Sequence, residues 1–245
     1  MKQHEAIIQT MERLGGLATL GQLNQEVFKI KDCYWGTKTP FATIRRLVQQ
    51  RPEIYKIRPG LYGLAKLKKE NENKGIIQET QRNKNTKEIV EFNHSYYQGI
   101  LLQLGTLKKF DTFAPNQDKN KRFLSQTLEE IRTLKSIPSF CYQRVVQRSA
   151  TIDVIWFNDR MMPHSFFEIE HSSDIQNSLL KFSDLQDFFA RMIIVADKSR
   201  KGEYEGKIKY SSFKEISNRV LFLDYDSLYR QYEQQVQQQQ FSVII

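Results

Sequence analysis

Apolar residues recur at helical spacing through the first fifty positions. Ile7, Ile8, Met11 and Leu14 form one stripe, halted by Gly15-Gly16, and Leu20, Leu23, Val27 and Phe28 form a second. TPFATIRRLVQQ predicts a third helix, with Thr39 as its cap and Pro40 at the first helical position, where a missing N–H costs nothing. Phe41, Ile44, Leu47 and Val48 supply its apolar side, which leaves Thr39, Thr43, Arg46 and Gln50 along the opposite one. EIYKIRPGLYGL then alternates and turns at Pro59-Gly60, as a short hairpin carrying Lys56 and Arg58 does.

Between Leu64 and Phe92 the pattern lapses into Lys, Asn, Glu and Gln, with Ile76 and Ile77 as the apolar anchors before Ile89; this reads as a solvated, partly helical linker. Periodicity resumes with Asn93 as a helix cap, Tyr97, Ile100, Leu101 and Leu104 as the apolar side, and Gly105 as the stop. FDTFAP predicts a strand, SQTLEEIRTLKSI a helix, and TIDVIWF with HSFFEIE a strand pair around NDRMMP. DIQNSLLKFSDLQDFFA predicts a helix, RMIIVAD a buried strand, and RVLFLDYDSLYRQYEQQ a strand running into a last helix. The expected architecture is α/β, a mixed central sheet flanked by helices, preceded by a small domain. The boundaries are a domain over 1–66, a charged linker over 67–90 and the α/β domain over 91–245.

Of the net charge of +9, most sits early: residues 1–64 hold ten Lys and Arg against five Asp and Glu. That asymmetry points to an anionic partner of the first domain. Cys33 and Cys141 have no metal-ligand spacing, and no apolar run approaches spanning length, so a reduced, soluble, cytoplasmic protein without a membrane partner is expected. The sequence contains no Gly-rich phosphate loop, HExxH or G-x-S-x-G element, which removes support for P-loop hydrolysis, zinc proteolysis and serine hydrolysis.

The strand pair holds the chemistry. A symmetric turn from Asn158 to Pro163 sets Asp153 opposite Glu168, and side-chain alternation puts Asp153, Ile155 and Phe157 on one face with Phe166, Glu168 and Glu170. Three carboxylates at the end of an apolar face repel one another and lose hydration. A divalent cation with oxygen ligands would offset them; Mg²⁺ fits best, since it takes one or two carboxylates and completes its shell with water and phosphate oxygens. An edge strand whose glutamates face water, or a Lys119 or Lys181 brought in from elsewhere, would also answer the charge.

Two resemblances add to this. Three helices and a basic hairpin follow the order of a winged helix, and TPFATIRRLVQQ with YKIRPGLYGL resembles the HARE-HTH type. That resemblance implies duplex DNA as partner, contacted by Thr39, Thr43, Arg45, Arg46 and Gln50 of the third helix and by Lys56 and Arg58 of the hairpin. Protein contact is the alternative use of such a domain. FNHSYYQGILLQLG, FDTFAPNQDKNKRF and TIDVIWFNDRMMPHSFFEIEHSSDIQNSLLKFSDLQ resemble the restriction-endonuclease-like PD-(D/E)xK superfamily in element order. The resemblance implies a Mg²⁺- or Mn²⁺-dependent endodeoxyribonuclease of a restriction or phage-defence system, with Asp153 and Glu168 on the metal.

Glu170 stands where the superfamily usually has lysine, as a third ligand or as the group orienting the attacking water, and Lys181 on the following helix is either a substitute for that lysine or an ordinary solvated one. Asp118, Lys119, Lys121 and Arg122 would grip backbone phosphates or form an ordinary polar loop; the resemblance implies polar residues near the metal on the first helix, where His94 and Gln98 lie, and His171, adjoining the site, would contact a phosphate or water or serve the structure alone. Paired cuts in duplex DNA commonly need two copies, so a homodimer is left open. An inactive DNA-binding regulator on the same fold, or a nuclease of RNA or single strands, are the competing readings.

Overall fold

A computed structural model of the chain describes residues 1–80, 82–84 and 86–244. Gln81 and Asn85 in the expected linker and Ile245 at the end of the expected α/β domain lie outside the described residues. In chain order the elements are α1 (Gln3–Arg13), β1 (Leu17–Thr19), α2 (Leu20–Glu26), α3 (Pro40–Gln50), β2 (Ile54–Arg58), β3 (Leu61–Leu64), α4 (Lys68–Asn73) and α5 (Lys87–Leu107). There follow β4 (Asp111–Phe113), β5 (Arg122–Phe123), β6 (Gln126–Thr127), α6 (Leu128–Ile131), α7 (Gln143–Ser149), β7 (Val154–Phe157) and β8 (Pro163–Glu170). α8 (Ile175–Ser183), β9 (Arg191–Ala196), α9 (Lys201–Lys207), β10 (Val220–Asp224) and α10 (Tyr225–Ile244) complete the order. Two compact units result, Met1–Phe92 with Tyr229–Ile245, and Asn93–Leu228.

In the first unit, Ile7, Met11, Leu23, Val27, Ile44 and Leu61 are fully buried, the stripes that the spacing marks out. β3 pairs antiparallel with β1 on one side and β2 on the other. Thr19 starts α2 through a reciprocal pair of bonds: Gln22 N donates to its Oγ1 at 3.0 Å and its own N–H donates to Gln22 Oε1 at 2.9 Å. Thr39 occupies the cap position of α3 but its hydroxyl caps nothing; its carbonyl instead accepts from both the N–H and the Oγ1 of Thr43. Within 65–80, Asn71 and Ile76 are buried, and Asn71 Nδ2 donates to Tyr55 Oη at 3.1 Å.

The second unit is built on a five-stranded mixed sheet in the order β10-β9-β8-β7-β4. β10, β9 and β8 run parallel, while β7 is antiparallel to both β8 and β4. On one face Ile155, Phe157, Phe166, Met192 and Ile194 pack with Ile175, Leu179 and Phe182 of α8. On the other, Trp156 Nε1 donates to the carbonyl of Leu101 in α5 at 3.0 Å. Both faces are covered, which is why the central strands read as nearly continuous apolar runs.

Several local expectations change. Asn93 does not cap α5, which begins at Lys87; it is a buried residue inside the helix. Gly105 does not end it either. A Cβ there would come within 2.5 Å of Thr112 Cγ2 and 2.6 Å of Trp156 Nε1, so the glycine serves close approach of helix to sheet. The stop comes at Lys109 in the left-handed conformation (φ 66°), with Phe110 N donating back to Gly105 O at 2.9 Å. The helix expected over SQTLEEIRTLKSI shrinks to α6, because Arg132 is drawn inward: its Nη1 donates to Ala114 O at 2.6 Å and its Nη2 to Asn116 Oδ1 at 2.9 Å.

Candidate active site

The β7–β8 register pairs Val154 with Phe167 and Ile155 with Phe166, and slips only near the turn, between Trp156 and Phe157. Continued by one residue, it brings Asp153 opposite Glu168. Asp153 N donates to Glu168 Oε1 at 3.3 Å, and Ile169 N donates to Asp153 Oδ2 at 2.7 Å, so the aspartate is locked against the end of β8.

α8 closes over these groups. Asp174 caps it by accepting from Gln176 N at 2.8 Å, and the helical turn that follows points Ser178 and Lys181, three residues apart, at β8. Lys181 Nζ lies 2.8 and 3.0 Å from the two oxygens of Glu168 and 3.0 Å from Thr151 O; Ser178 Oγ donates to Glu168 Oε2 at 3.0 Å. Burial pushes the Glu168 carboxyl up to about 8, and the charge of Asp153 adds to the rise against the opposing pull of Lys181 and Ser178. Glu170, also raised by burial, accepts from Ser173 and Ser178 and lies 3.9 Å from Arg200 Nη1.

The third side is supplied by α5 and the loop after β4. His94 Nε2 lies 3.5 Å from Asp153 Oδ1 and 3.8 Å from Asp118 Oδ2. Among the described residues, His94, Asp118 and Asp153 form a set whose ligand atoms all come within 4.8 Å of one another. Glu168 and Glu170 stand outside it, so the three carboxylates expected to share one pocket divide, and Asp153 belongs to both sides. Gln98, fully buried, donates from Nε2 to Asp118 Oδ2 at 2.9 Å and to Asp153 O at 3.0 Å, while its Oε1 has no hydrogen-bond partner. Burial acts to raise the Asp118 carboxyl, but His94, Lys121 and Gln98 together hold it well below the usual carboxylate range. Burial acts to lower His94, but the Asp118 and Asp153 carboxylates outweigh it and raise the imidazole.

Other residues singled out in the sequence fall differently. Lys121 is exposed but committed to Asp118 Oδ1 at 2.7 Å; Lys119 in the same loop and Arg122 at the start of β5 are exposed. His171 faces Asn93, with Nδ1 3.2 Å from its Nδ2. In the first unit Thr39, Arg46, Gln50 and Lys56 are exposed, Thr43 is half-buried, and Arg46 Nη1 donates to Gln50 Oε1 at 3.2 Å. Arg45 is turned aside to Glu233 at 2.6 Å. Arg58, expected on DNA, is instead buried, paired with Glu79 at 2.7 Å and stacked 4.6 Å over the Phe92 ring. A bulge between Lys56 and Arg58 breaks the alternation and rotates Arg58 into the core.

Residues 75–244 match the family described as the Type II restriction enzyme NmeDI C-terminal domain. The match covers more than half of the chain and includes the whole mixed sheet and every residue of the carboxylate site. The chain belongs to this restriction-enzyme family. No curated protein and no solved structure matches it. No helix among the described residues is long and apolar enough to cross a membrane.

Proposed function

We propose that the chain is a divalent-metal-dependent endodeoxyribonuclease of a restriction or phage-defence system, with a PD-(D/E)xK active site and a winged helix over 1–66 that contacts duplex DNA. One observation carries the reading: Asp153 and Glu168 meet at the end of an antiparallel strand pair, and Lys181 stands 2.8 Å from Glu168. The donor chemistry fits Mg²⁺ or Mn²⁺. A buried glutamate raised to about 8 beside a second carboxylate is a site whose charge Lys181 answers only in part, and a hard cation would answer the rest. Asp153 and Glu168 would hold the ion, which when bound lowers the pKa of water and offsets phosphate charge.

The chain's own residues do the positioning. Ile169 N fixes Asp153, and Ser178 with Lys181 fixes the rotamer of Glu168, so neither carboxylate has to reorganise. Lys181 brings a positive charge to Glu168, two residues before Glu170, which stands where the motif's usual lysine would be; Glu170 in turn orients Ser178. In the first unit, the exposed row of Thr39, Arg46 and Gln50 on α3 with Lys56 on the hairpin supplies base and phosphate contacts.

The Glu168–Lys181 pair also favours a second reading, a DNA-binding regulator in which this ion pair replaces the metal. Incubation of the protein with plasmid and phage DNA in Mg²⁺ or Mn²⁺, beside Asp153→Ala and Glu168→Ala, separates the two. Cleavage by the wild type alone supports the nuclease; binding of DNA with no cleavage by any of the three supports the regulator.

A further inference from the structure

We infer that Glu233 of α10 positions Arg45 of α3 to grip a DNA backbone phosphate in the groove between the two helices. The inference rests on the winged-helix reading of the first unit and adds to it a residue from far along the chain.

Both residues belong to the first unit, which joins Met1–Phe92 to Tyr229–Ile245. α10 is fixed there: Tyr232, Glu233 and Val236 are buried, and a Cβ on Gly60 of the hairpin turn would fall 1.9 Å from the Tyr229 ring. Between α3 and α10 lies a groove of about 460 Å³. Its polar lining is Arg45, Arg46, Gln49 and Gln50 of α3 with Gln237 of α10, guanidinium and carboxamide groups with no carboxylate among them.

The pairing of Arg45 is asymmetric. Its Nη2 lies 2.6 Å from Glu233 Oε1, yet the Glu233 side chain is 6% exposed and that of Arg45 50%. The carboxylate therefore sits beneath the guanidinium, and a ligand arriving from the groove meets the cation first. Gln237 Nε2 donates to the same Glu233 oxygen at 3.2 Å, so one buried acceptor holds groups on both walls. An unheld arginine loses side-chain freedom when it closes on a phosphate. One already held through Nη2 loses less, and its Nη1 and Nε still carry donors in the plane of the fork.

Size decides between backbone and base edges. A helix with its side chains is about 10–12 Å across and the major groove about 12 Å wide, so α3 alone fits. With α10 packed at its shoulder, about 8–10 Å from axis to axis, the pair is roughly 20 Å across and does not. The Arg45 side of α3 therefore stays at the rim of the groove, where the phosphates run.

The test measures binding of the full chain to a mixed-sequence DNA duplex, in chelator, by fluorescence anisotropy. Wild type is compared with Glu233→Leu, Glu233→Gln and Arg45→Lys, and with Arg46→Ala and Lys56→Ala. Both Glu233 substitutions remove a negative charge, and charge alone would tighten binding in each. Positioning gives another pattern: Glu233→Leu, with no acceptor for Arg45, should bind about three- to tenfold more weakly, while Glu233→Gln, which keeps one, should bind no more weakly than wild type. Arg45→Lys keeps the charge but loses the fork and should weaken binding by a similar factor; it carries the test should Glu233→Leu not fold. Unchanged or tighter binding by a folded Glu233→Leu, equal weakening in both Glu233 variants, or unchanged binding by Arg45→Lys overturns the inference. If Arg46→Ala and Lys56→Ala weaken binding while the Glu233 and Arg45 variants do not, the winged-helix reading stands without it. If wild type does not bind the duplex, or none of the five variants changes the affinity, the winged-helix reading fails as well.

Discussion

Lys181, two turns into α8, sets its ammonium 2.8 Å from the carboxylate of Glu168 on β8. The contact joins a helix to the end of a buried strand through a side chain that is itself mostly covered. Replacement by methionine keeps the apolar stem and removes the charge. Lys181→Met should cut DNA about a hundredfold more slowly, the usual scale for loss of one pre-placed electrostatic group, with DNA affinity held. Initial cleavage rates set against gel-shift affinities check it; an unchanged rate would make Lys181 a packing residue.

Arg58 and Lys56 lie two apart on β2, and the bulge between them gives them opposite fates. Arg58→Ala removes a buried side chain that packs on Phe92 and leaves the partly exposed Glu79 to water, and should destabilise the fold by about 1–3 kcal/mol, read from denaturant midpoints. Lys56→Ala should leave stability within about 0.5 kcal/mol and instead weaken DNA binding and flatten its salt dependence. Equal stability loss in both variants would contradict the bulge's effect.

Gly105→Ala drives a methyl group against Trp156 and Thr112, so the helix must move off the sheet. A loss of about 1–3 kcal/mol is expected from such overpacking. Ala at Gly202, where nothing lies within 4 Å of an added Cβ, is the control and should be neutral or slightly stabilising.

His164 stacks on Phe110 at 4.3 Å, and burial, with Arg191 and Lys108 nearby, lowers its pKa from the ordinary histidine value. A depressed pKa means the folded state binds its proton less readily than the unfolded chain. This contribution to stability is therefore present above about pH 6.5 and is lost as pH falls through the folded value. Its NMR titration midpoint should lie below that of a free histidine and rise in Arg191→Gln; a midpoint at or above the ordinary value would contradict the packing.

What the sequence made legible follows from what is periodic. The β7–β8 register could be read because side chains alternate strictly and both faces must be apolar, so a slip of one residue would turn Asp153 to the face where Trp156 packs against α5. Lys181 was legible as a candidate because helix spacing from Asp174 carries it along one face. His94 and Gln98 could be marked only as polar residues on an apolar helix, and Asp118 only as part of a polar loop, since their meeting with Asp153 is made by tertiary packing of three separate elements. Arg58 misled because a bulge is invisible to alternation, and Gly105 because a glycine that permits close packing looks the same in sequence as one that ends a helix.

The central claim is that the Asp153–Glu168 end of the β7–β8 pair cuts DNA with a bound divalent ion. The most direct measurement is the single-turnover cleavage rate of plasmid DNA in Mg²⁺ and Mn²⁺ for wild type, Asp153→Asn and Glu168→Gln, with chelator as control. Cleavage by wild type that chelator abolishes and that each substitution lowers by about a hundredfold or more is the expected result. Cleavage that survives both substitutions, or DNA bound tightly and never cut by the wild type under either ion, would contradict it.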